Sequence, residues 1–304
     1  MAVDLVDAYP EARAVFEAGK KVLGRDILEV CRAGSEAELN STRISQPAIF
    51  LHSVAVLRVL DETMEIPALA AAGLSLGEYS ALVCVRSVEF AEALQIVALR
   101  GEYMQEACDS SSGTMASVIG LKVARVEEVV ARARADGLNI GIANYNSPDQ
   151  TVISGEVGAV DVTVKRLEEA GARRAIRLKV AGAYHSPLMA SATQKLRPHL
   201  EKLAIRAPKV PFYSNVTGAE TTSPEQIRKN LLLQIENPVR WEQTLRLLLA
   251  RGIGRALELG PGRVLAGLMR SVSREFHVVP VGTCEQVNSL SRKICEPQEG
   301  KSAV

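Results

Sequence analysis

Residues 73–77 read Gly-Leu-Ser-Leu-Gly, and this pentapeptide constrains the fold more than any other part of the sequence. Small and apolar residues precede Ser75 and a helix-forming run follows it, which is the order of a nucleophile elbow: strand, sharp turn, helix. We expect Gly73 and Gly77 to make room for the turn, because larger side chains there would collide with neighbouring backbone. The pattern predicts that Ser75 is a nucleophile that carries an acyl group.

The same residues also fit a less specific interpretation, a small-residue turn between a buried strand and a helix. Glycine and serine are both common, so a Gly-x-Ser-x-Gly match arises by chance in about one chain in ten of this length. The rest of the sequence therefore has to decide between a nucleophile and an ordinary turn.

Composition argues against several classes of function. The chain has 304 residues, of which 47% are hydrophobic, so it can bury a large core in one or two domains. A net charge of +1 and an aromatic content of 4% argue against nucleic acid as a partner. No apolar run reaches the length of a membrane span, and the first residues match neither a signal peptide nor a transit peptide. The five cysteines show no metal-binding spacing, which predicts reduced thiols in a cytoplasmic protein.

The middle of the chain has a different rhythm from the rest. Its predicted elements alternate as strand, helix, strand, strand, helix, strand: 114–121, 123–136, 139–144, 150–154, 157–171 and 174–180. This is the split-βαβ or ferredoxin-like order. We therefore expect a small domain, residues 111–183, inserted into a larger α/β domain formed by residues 1–110 and 184–285.

Outside the insert, helical periodicity alternates with short apolar strands. Residue 286 starts a polar segment, so we expect 286–304 to form a mobile tail. Helices are predicted at 4–23, 47–62 and 88–108, and strands at 67–74, 210–213 and 255–259.

A serine nucleophile needs a base, and the chain offers four histidines. His185 lies where a strand gives way to a Gly/Ala loop and a Pro-started helix, and catalytic groups concentrate at such strand ends. His52 falls in an apolar helix pattern, His199 in a polar helix and His277 in a strand. We predict that His185 is the base. No acidic residue stands out as a third member, so a backbone carbonyl that accepts the Nδ1–H would orient the imidazole.

Arg100 is a second candidate for the site. An arginine binds a carboxylate bidentately and keeps its charge when buried. Local sequence alone favours the alternative, a solvated arginine on a helix.

Taken together, several segments resemble the malonyl-CoA:acyl carrier protein transacylases of fatty-acid synthesis and the related acyltransferase domains of polyketide synthases. They follow the family's order over residues 1–285. The matching blocks are SQPAIF (45–50), GLSLGEYSALV (73–83), RGEYMQEA (100–107), GTMASVIGL (113–121), NYNSPDQTVISG (144–155), GAYHSPLM (182–189), YSNVTG (213–218), QIENPVRW (234–241) and ELGPGRVLAGL (258–268).

The resemblance implies a role for each matching position. Ser75 would take the malonyl group, His185 would act as base and then as acid, and Arg100 would bind the malonyl carboxylate. The Gln234 carbonyl would orient His185, and the Leu76 N–H would be an oxyanion-hole donor.

The resemblance also implies a fold and substrates. The fold would be an α/β-hydrolase-like core with the ferredoxin-like subdomain. Gln46 and Asn146 would line or support the pocket, and Tyr184 leans towards malonyl over methylmalonyl. Malonyl-CoA and phosphopantetheinylated acyl carrier protein would be the substrates of a monomer, with no metal or redox cofactor and no membrane or nucleic acid partner. An acidic carrier protein would meet one of two basic patches, Arg173, Arg174, Arg177 and Lys179, or Arg263 and Arg270.

Two departures from the family keep alternatives open. Leu74 stands where the family usually has histidine. Family members begin with a hydrophobic strand and a Gly-Gln-Gly-x-Gln loop that supplies a second oxyanion N–H, whereas this sequence starts at the helix pattern MAVDLVDAYPEARAVF. A truncated or degenerate, non-catalytic relative that binds carrier protein is therefore one alternative, and a general serine esterase is another.

Overall fold

The computed structural model describes residues 1–64 and 66–295 as a mixed α/β fold. The helices are α1 (Val3–Ala8), α2 (Pro10–Leu23), α3 (Ile27–Ala33), α4 (Glu36–Asn40), α5 (Thr42–Met64), α6 (Gly77–Cys84), α7 (Phe90–Asp109), α8 (Val123–Ala135), α9 (Val157–Glu169), α10 (Ala190–Lys202), α11 (Pro224–Gln234), α12 (Trp241–Ala250), α13 (Val264–Val272) and α14 (Cys284–Cys295), with a 3₁₀ turn at Pro187–Met189. The strands are β1 (Ala71–Ala72), β2 (Gly113–Ile119), β3 (Ile140–Ser147), β4 (Gln150–Glu156), β5 (Arg174–Arg177), β6 (Phe212–Tyr213), β7 (Arg255–Leu259) and β8 (His277–Val281).

These strands form sheets of two kinds. β1 pairs in parallel with β6, and β7 pairs in parallel with β8. The other four strands form an antiparallel sheet in the order β3-β4-β2-β5. Parallel strands need crossover connections, and helices supply them here, so the parallel pairs belong to a layered α/β core.

The antiparallel sheet lies in the segment predicted to form the inserted subdomain. The predicted β-α-β-β-α-β order is observed over residues 113–177, with α8 and α9 as its helices. Its own hydrophobic cluster joins Ile153 of β4 to Val160 and Leu167 of α9, all fully buried. The sheet meets the core through a backbone exchange, in which Tyr145 N–H donates to the Val239 carbonyl and Val239 N–H donates to the Ala143 carbonyl.

Several predicted elements are shorter or broken. The strand predicted at 174–180 ends at Arg177, and the strand predicted at 210–213 covers only Phe212–Tyr213. The strand predicted at 67–74 pairs only at Ala71–Ala72, because β6 offers a partner of two residues. The helix predicted at 4–23 is interrupted at Tyr9, whose backbone is extended at φ −121° and ψ 121°. Tyr9 precedes a proline, and the proline ring disfavours the helical conformation in the residue before it.

The predicted mobile tail from residue 286 is wrong as far as residue 295. Helix α14 covers this stretch, and Val287 and Leu290 are buried against the main core. Their spacing of three residues puts both side chains on one face of the helix. The overall polarity of the segment hid this apolar face. Residues 296–304 of the predicted tail lie outside the described residues.

Helices α5 and α7 cross closely, and this crossing builds one wall of the site. A Cβ at Gly101 of α7 would lie 2.4 Å from the Thr42 carbonyl oxygen of α5, so only glycine fits there. The Thr42 hydroxyl also donates to the Gly101 carbonyl at 2.7 Å. The contact brings Gln46, one turn along α5, opposite Arg100.

Candidate active site

Residues 73–77 form a sharp turn between β1 and α6. Ser75 has a φ of 51°, a left-handed conformation that non-glycine residues seldom adopt. A Cβ at Gly73 would lie 2.0 Å from the Gly77 carbonyl carbon, so a side chain at residue 73 is incompatible with the turn. The prediction is wrong for Gly77, where a Cβ would meet nothing within 4 Å. Leu74 packs into the hydrophobic cluster that contains Trp241, so an apolar residue suits its position.

Asn215 braces this turn from the neighbouring strand. Its Oδ1 accepts the Ser75 N–H at 2.6 Å, and its Nδ2 donates to the Gly73 carbonyl at 2.6 Å. Asn215 follows β6, which pairs with β1, so parallel pairing brings it to the same sheet edge as Ser75. Asn215 was not predicted from the sequence, although its place as a polar residue just after a predicted strand was the available signal.

Ser75 and His185 lie within hydrogen-bond distance, with 2.9 Å between Oγ and Nε2. His185 Nδ1 lies 2.7 Å from the Gln234 backbone carbonyl oxygen, which can only accept a hydrogen bond. The Nδ1–H tautomer therefore fits, and it leaves Nε2 free to accept the Ser75 hydroxyl proton. Burial lowers the pKa of His185 to about 4, and the positive charge of Arg100 contributes in the same direction. The imidazole is thus neutral, as a base must be, near pH 7.

The Arg100 guanidinium lies beside this pair and is 1% exposed. It donates to Gln46 Oε1 at 2.5 Å, to Gln234 Oε1 at 3.0 Å and to Ser75 Oγ at 3.0 Å. Burial lowers the pKa of Arg100, but an arginine stays protonated in proteins. Across residues 1–64 and 66–295 no carboxylate comes within salt-bridge distance of it. This buried cation can therefore accept an anionic group beside the serine.

Leu76 is the residue just before α6. Its backbone N–H is one of the free donors at a helix start, where the helix dipole also favours negative charge. None of the backbone hydrogen bonds within the described part of the chain uses it. Because Leu76 directly follows Ser75, this N–H can donate to an oxyanion on an acyl carbon bound to Ser75 Oγ.

The remaining predicted residues lie around the site at different distances. Asn146 of β3 is buried, and its Oδ1 has no hydrogen-bond partner among the residues described. The hydrogen bonds of the site do not include it. Tyr184 packs against the main hydrophobic core and also against a second, small cluster of Met115, Ala143 and Val152 on the antiparallel sheet. It therefore lies at the boundary between the core and this sheet. Burial raises the pKa of its hydroxyl well above the ordinary value.

The other three histidines lie elsewhere. His52 is buried in α5 with Nε2 2.7 Å from the Gly282 carbonyl. His199 is exposed beside Tyr103, and His277 is exposed on β8.

The two predicted basic patches are solvent-exposed. Arg177 of the first patch also contacts Asp161 at 3.9 Å. All six patch residues are exposed: Arg173, Arg174, Arg177, Lys179, Arg263 and Arg270.

No cluster of three or more potential metal ligands occurs in residues 1–64 and 66–295. No helix in those ranges is both long enough and apolar enough to cross a membrane.

Comparison with known proteins gives a consistent result. The acyl transferase domain family matches residues 1–298. The chain is 35% identical over 299 residues to the malonyl CoA-acyl carrier protein transacylase of Bacillus subtilis (strain 168), covering 98% of this chain and 94% of that protein. The solved transacylase of the same name from Coxiella burnetii superimposes with a TM-score of 0.93 at 34% identity, covering 97% and 93% of the two chains.

A further solved structure contains a type II PKS acyl-carrier protein in complex with its malonyl-transacylase. It matches with a TM-score of 0.92 at 37% identity, covering 96% of this chain and 94% of the other. The family match spans nearly the whole sequence, and the chain shares more than a third of its residues with a curated relative. The chain therefore belongs to the acyl transferase domain family, among the malonyl CoA-acyl carrier protein transacylases.

Proposed function

We propose that the protein transfers the malonyl group of malonyl-CoA to the phosphopantetheine thiol of an acyl carrier protein through an ester on Ser75. The observation that carries the proposal is the buried Arg100 guanidinium, 3.0 Å from the Ser75 hydroxyl. Its hydrogen-bond partners in the described chain are neutral groups, so its charge remains available to a substrate. A cation at this position favours an acyl group that ends in a carboxylate.

The first half-reaction forms the ester. His185 Nε2 takes the hydroxyl proton as Ser75 Oγ attacks the thioester carbonyl of malonyl-CoA. The Leu76 N–H donates a hydrogen bond to the carbonyl oxygen as negative charge develops on it. His185 then gives its proton to the departing CoA thiolate, and malonyl remains on Ser75.

The second half-reaction runs the same steps in reverse order. The carrier-protein thiol loses its proton to His185 and attacks the Ser75 ester, and the Ser75 oxygen regains that proton as it leaves. Every bond change is an acyl or proton transfer, so we propose that the reaction needs no metal or redox cofactor.

Three amide side chains support this chemistry in different ways. Gln46 and Gln234 accept from Arg100 and hold it beside Ser75. The Gln234 carbonyl holds the His185 ring. For Asn146, which is buried, we propose only that it lines or supports the pocket.

We also propose that the protein is a cytoplasmic monomer and meets its carrier protein through one of the two basic patches. The Bacillus subtilis relative bears the name of this activity, and a solved relative is described in complex with an acyl-carrier protein. Nucleic acid and membranes are not among the proposed partners. The division into a core, residues 1–110 and 184–285, and a subdomain, residues 111–183, stays a prediction.

Malonyl-CoA labelled in the acyl group tests the proposal directly. We expect label on the peptide that contains Ser75, none in Ser75→Ala, and passage of the label to carrier protein. Arg100→Ala should slow acylation by malonyl-CoA by about 10²-fold but acylation by acetyl-CoA by less than about threefold, because only malonyl loses a charged partner. Arg197→Ala, an exposed arginine on α10, is the matched control and should change neither rate.

The contrary outcomes are distinct. Absence of label on Ser75 would contradict the proposal. Rapid hydrolysis of neutral esters, without preference for CoA thioesters, would favour a serine esterase instead. Equal slowing of malonyl and acetyl transfer in Arg100→Ala would remove Arg100 from its role.

A further inference from the structure

Glu78 is a buried acid that the acyl-transfer steps do not use. It lies in the first turn of α6, three residues after Ser75, and is 1% exposed. No lysine, arginine or histidine in the described ranges forms a salt bridge with it. Its carboxyl oxygens instead accept from the Asn215 backbone N–H at 3.2 Å and from Gln234 Nε2 at 2.5 Å.

The Gln234 side chain connects Glu78 to the site. Its Nε2 donates to Glu78 and, at 2.9 Å, to the Ser75 carbonyl oxygen. Its Oε1 accepts from Arg100 Nη2 at 3.0 Å. Both ends of the amide are therefore hydrogen-bonded: its NH₂ group faces two acceptors, and its oxygen faces a donor.

Only one orientation of this amide satisfies its neighbours. Rotation by half a turn would set the NH₂ group against the Arg100 donors and the carbonyl oxygen against two further oxygens. Both contacts would be repulsive in a buried site, where unmatched polar groups are costly. Glu78 supplies one of the two acceptors, beside the Ser75 carbonyl, that fix which end of Gln234 faces the guanidinium.

The nitrogen held by Gln234 is the one that reaches the nucleophile. Arg100 Nη2 donates to both Gln234 Oε1 and Ser75 Oγ, each at 3.0 Å. Its other terminal nitrogen is held by Gln46. A change in the Gln234 amide would thus move the donor that faces a bound acyl group.

We propose that Glu78 is a positioning residue that aligns Arg100 through the Gln234 side chain, and thereby sets the preference for acyl groups that carry a carboxylate. This inference rests on the proposed function of the site. Because Glu78 makes no salt bridge with Arg100, it can align the guanidinium through Gln234 without occupying it. The substrate carboxylate can then take that place.

The decisive experiment compares two reactions at the same serine. Malonyl-CoA carries a carboxylate for Arg100 to bind, whereas a neutral fluorophosphonate probe reacts with Ser75 and carries no carboxylate. We expect Glu78→Ala to slow acylation by malonyl-CoA by about tenfold and probe labelling by less than about threefold. Val83→Ala, at a buried apolar position on the same helix, is the matched control and should leave the ratio of the two rates unchanged.

A double substitution tests whether Glu78 acts through Arg100. In an Arg100→Ala background, Glu78→Ala should slow malonyl acylation by less than about twofold, because residues that act through one interaction are non-additive. Glu78→Gln keeps the shape of the side chain and one of its two acceptor oxygens. If the alanine variant is poorly folded, the ratio of malonyl acylation to probe labelling is measured in this variant instead.

The outcomes separate this inference from the proposed function. Equal slowing of both reactions by Glu78→Ala and Glu78→Gln, or the same slowing with and without Arg100, would overturn the role of Glu78 alone. A wild-type protein that labels with the probe but takes no malonyl would overturn the proposed function and this inference with it.

Discussion

In the inserted sheet, β2 and β4 each have seven residues and pair along their whole length, whereas β1 and β6 at the elbow pair over two residues each. The sheet strands and their two helices contain no non-glycine residue with positive φ among those described. The site contains two, Ser75 at 51° and His185 at 56°. Regular pairing stabilises one region, and the other region holds two strained residues.

The difference shows what keeps the elbow in place. A non-glycine residue in the left-handed region costs about 1–2 kcal/mol, so it persists only where neighbouring groups fix it. Asn215 and Gln234 reach Ser75 from 140 and 159 residues away in the chain. The sheet is stabilised mostly by its own ladder and cluster, while the elbow depends on distant polar groups.

The largest expected effect is at the base. His185→Ala should slow Ser75 labelling, by malonyl-CoA and by a neutral probe alike, by roughly 10²–10⁴-fold, because general base catalysis is lost. Stopped-flow or quenched labelling would measure both rates. His277→Ala, on an exposed strand position, is the control. A loss confined to malonyl-CoA would contradict the assignment of His185 as base.

The two elbow glycines should respond very differently to the same substitution. Gly73→Ala forces a Cβ against the Gly77 backbone, so we expect about 10–100-fold slower labelling and a loss of roughly 1–3 kcal/mol in unfolding free energy. Gly77→Ala adds a methyl group to open space and should leave labelling within about threefold. Urea unfolding measures the stability of the two variants, and probe labelling measures the reactivity of Ser75 in each. Equal losses would show that the steric contact at Gly73 does not control the turn.

The pH dependence of probe labelling should sharpen the contrast further. A base works only when neutral, and burial lowers the pKa of His185 to about 4, so the rate should stay level from neutral pH downwards and fall as pH drops through about 4. Arg100→Ala should move this fall to higher pH, because the positive charge that disfavours imidazolium is gone. A midpoint near 6.5, the ordinary histidine value, would mean that the imidazole is hydrated.

The smallest effect on the site should come from the sheet. Leu167→Ala leaves a cavity in the subdomain cluster and should lower the unfolding free energy by about 2–5 kcal/mol. Labelling of Ser75 by the neutral probe should nevertheless stay within about twofold under native conditions. Leu82→Ala, fully buried in α6 behind the elbow, is the matched comparison and should lower both quantities. Parallel losses in both variants would show that the regions are not separable.

This contrast also explains what could be predicted from the sequence. Alternating and helical periodicities predicted the order of strands and helices along residues 113–177, because each element has its own local pattern of apolar residues. The Ser75 and His185 positions followed from turn and strand-end signals, and their side chains lie within hydrogen-bond distance of each other. Arg100 needed a family resemblance, since local sequence favoured a solvated helix residue.

Glu78 was not predicted, for a physical reason. An acid in the first turn of a helix is ordinarily a solvated residue that interacts with the helix dipole, so the sequence gives no sign that Glu78 is buried. Its partners lie more than 130 residues away. Strand 67–74 was overestimated for a related reason, because the length of a ladder depends on the partner strand and not on apolar composition alone.

The steric asymmetry of the elbow bears on how such proteins are found. A search that demands glycine both two residues before and two residues after the serine treats the two positions as equivalent. Of the two elbow glycines, only Gly73 has other backbone atoms within 4 Å of the position that a Cβ would take. A pattern that fixes the first position and relaxes the second would therefore retain sequences able to form the same turn, and would still discard those that cannot.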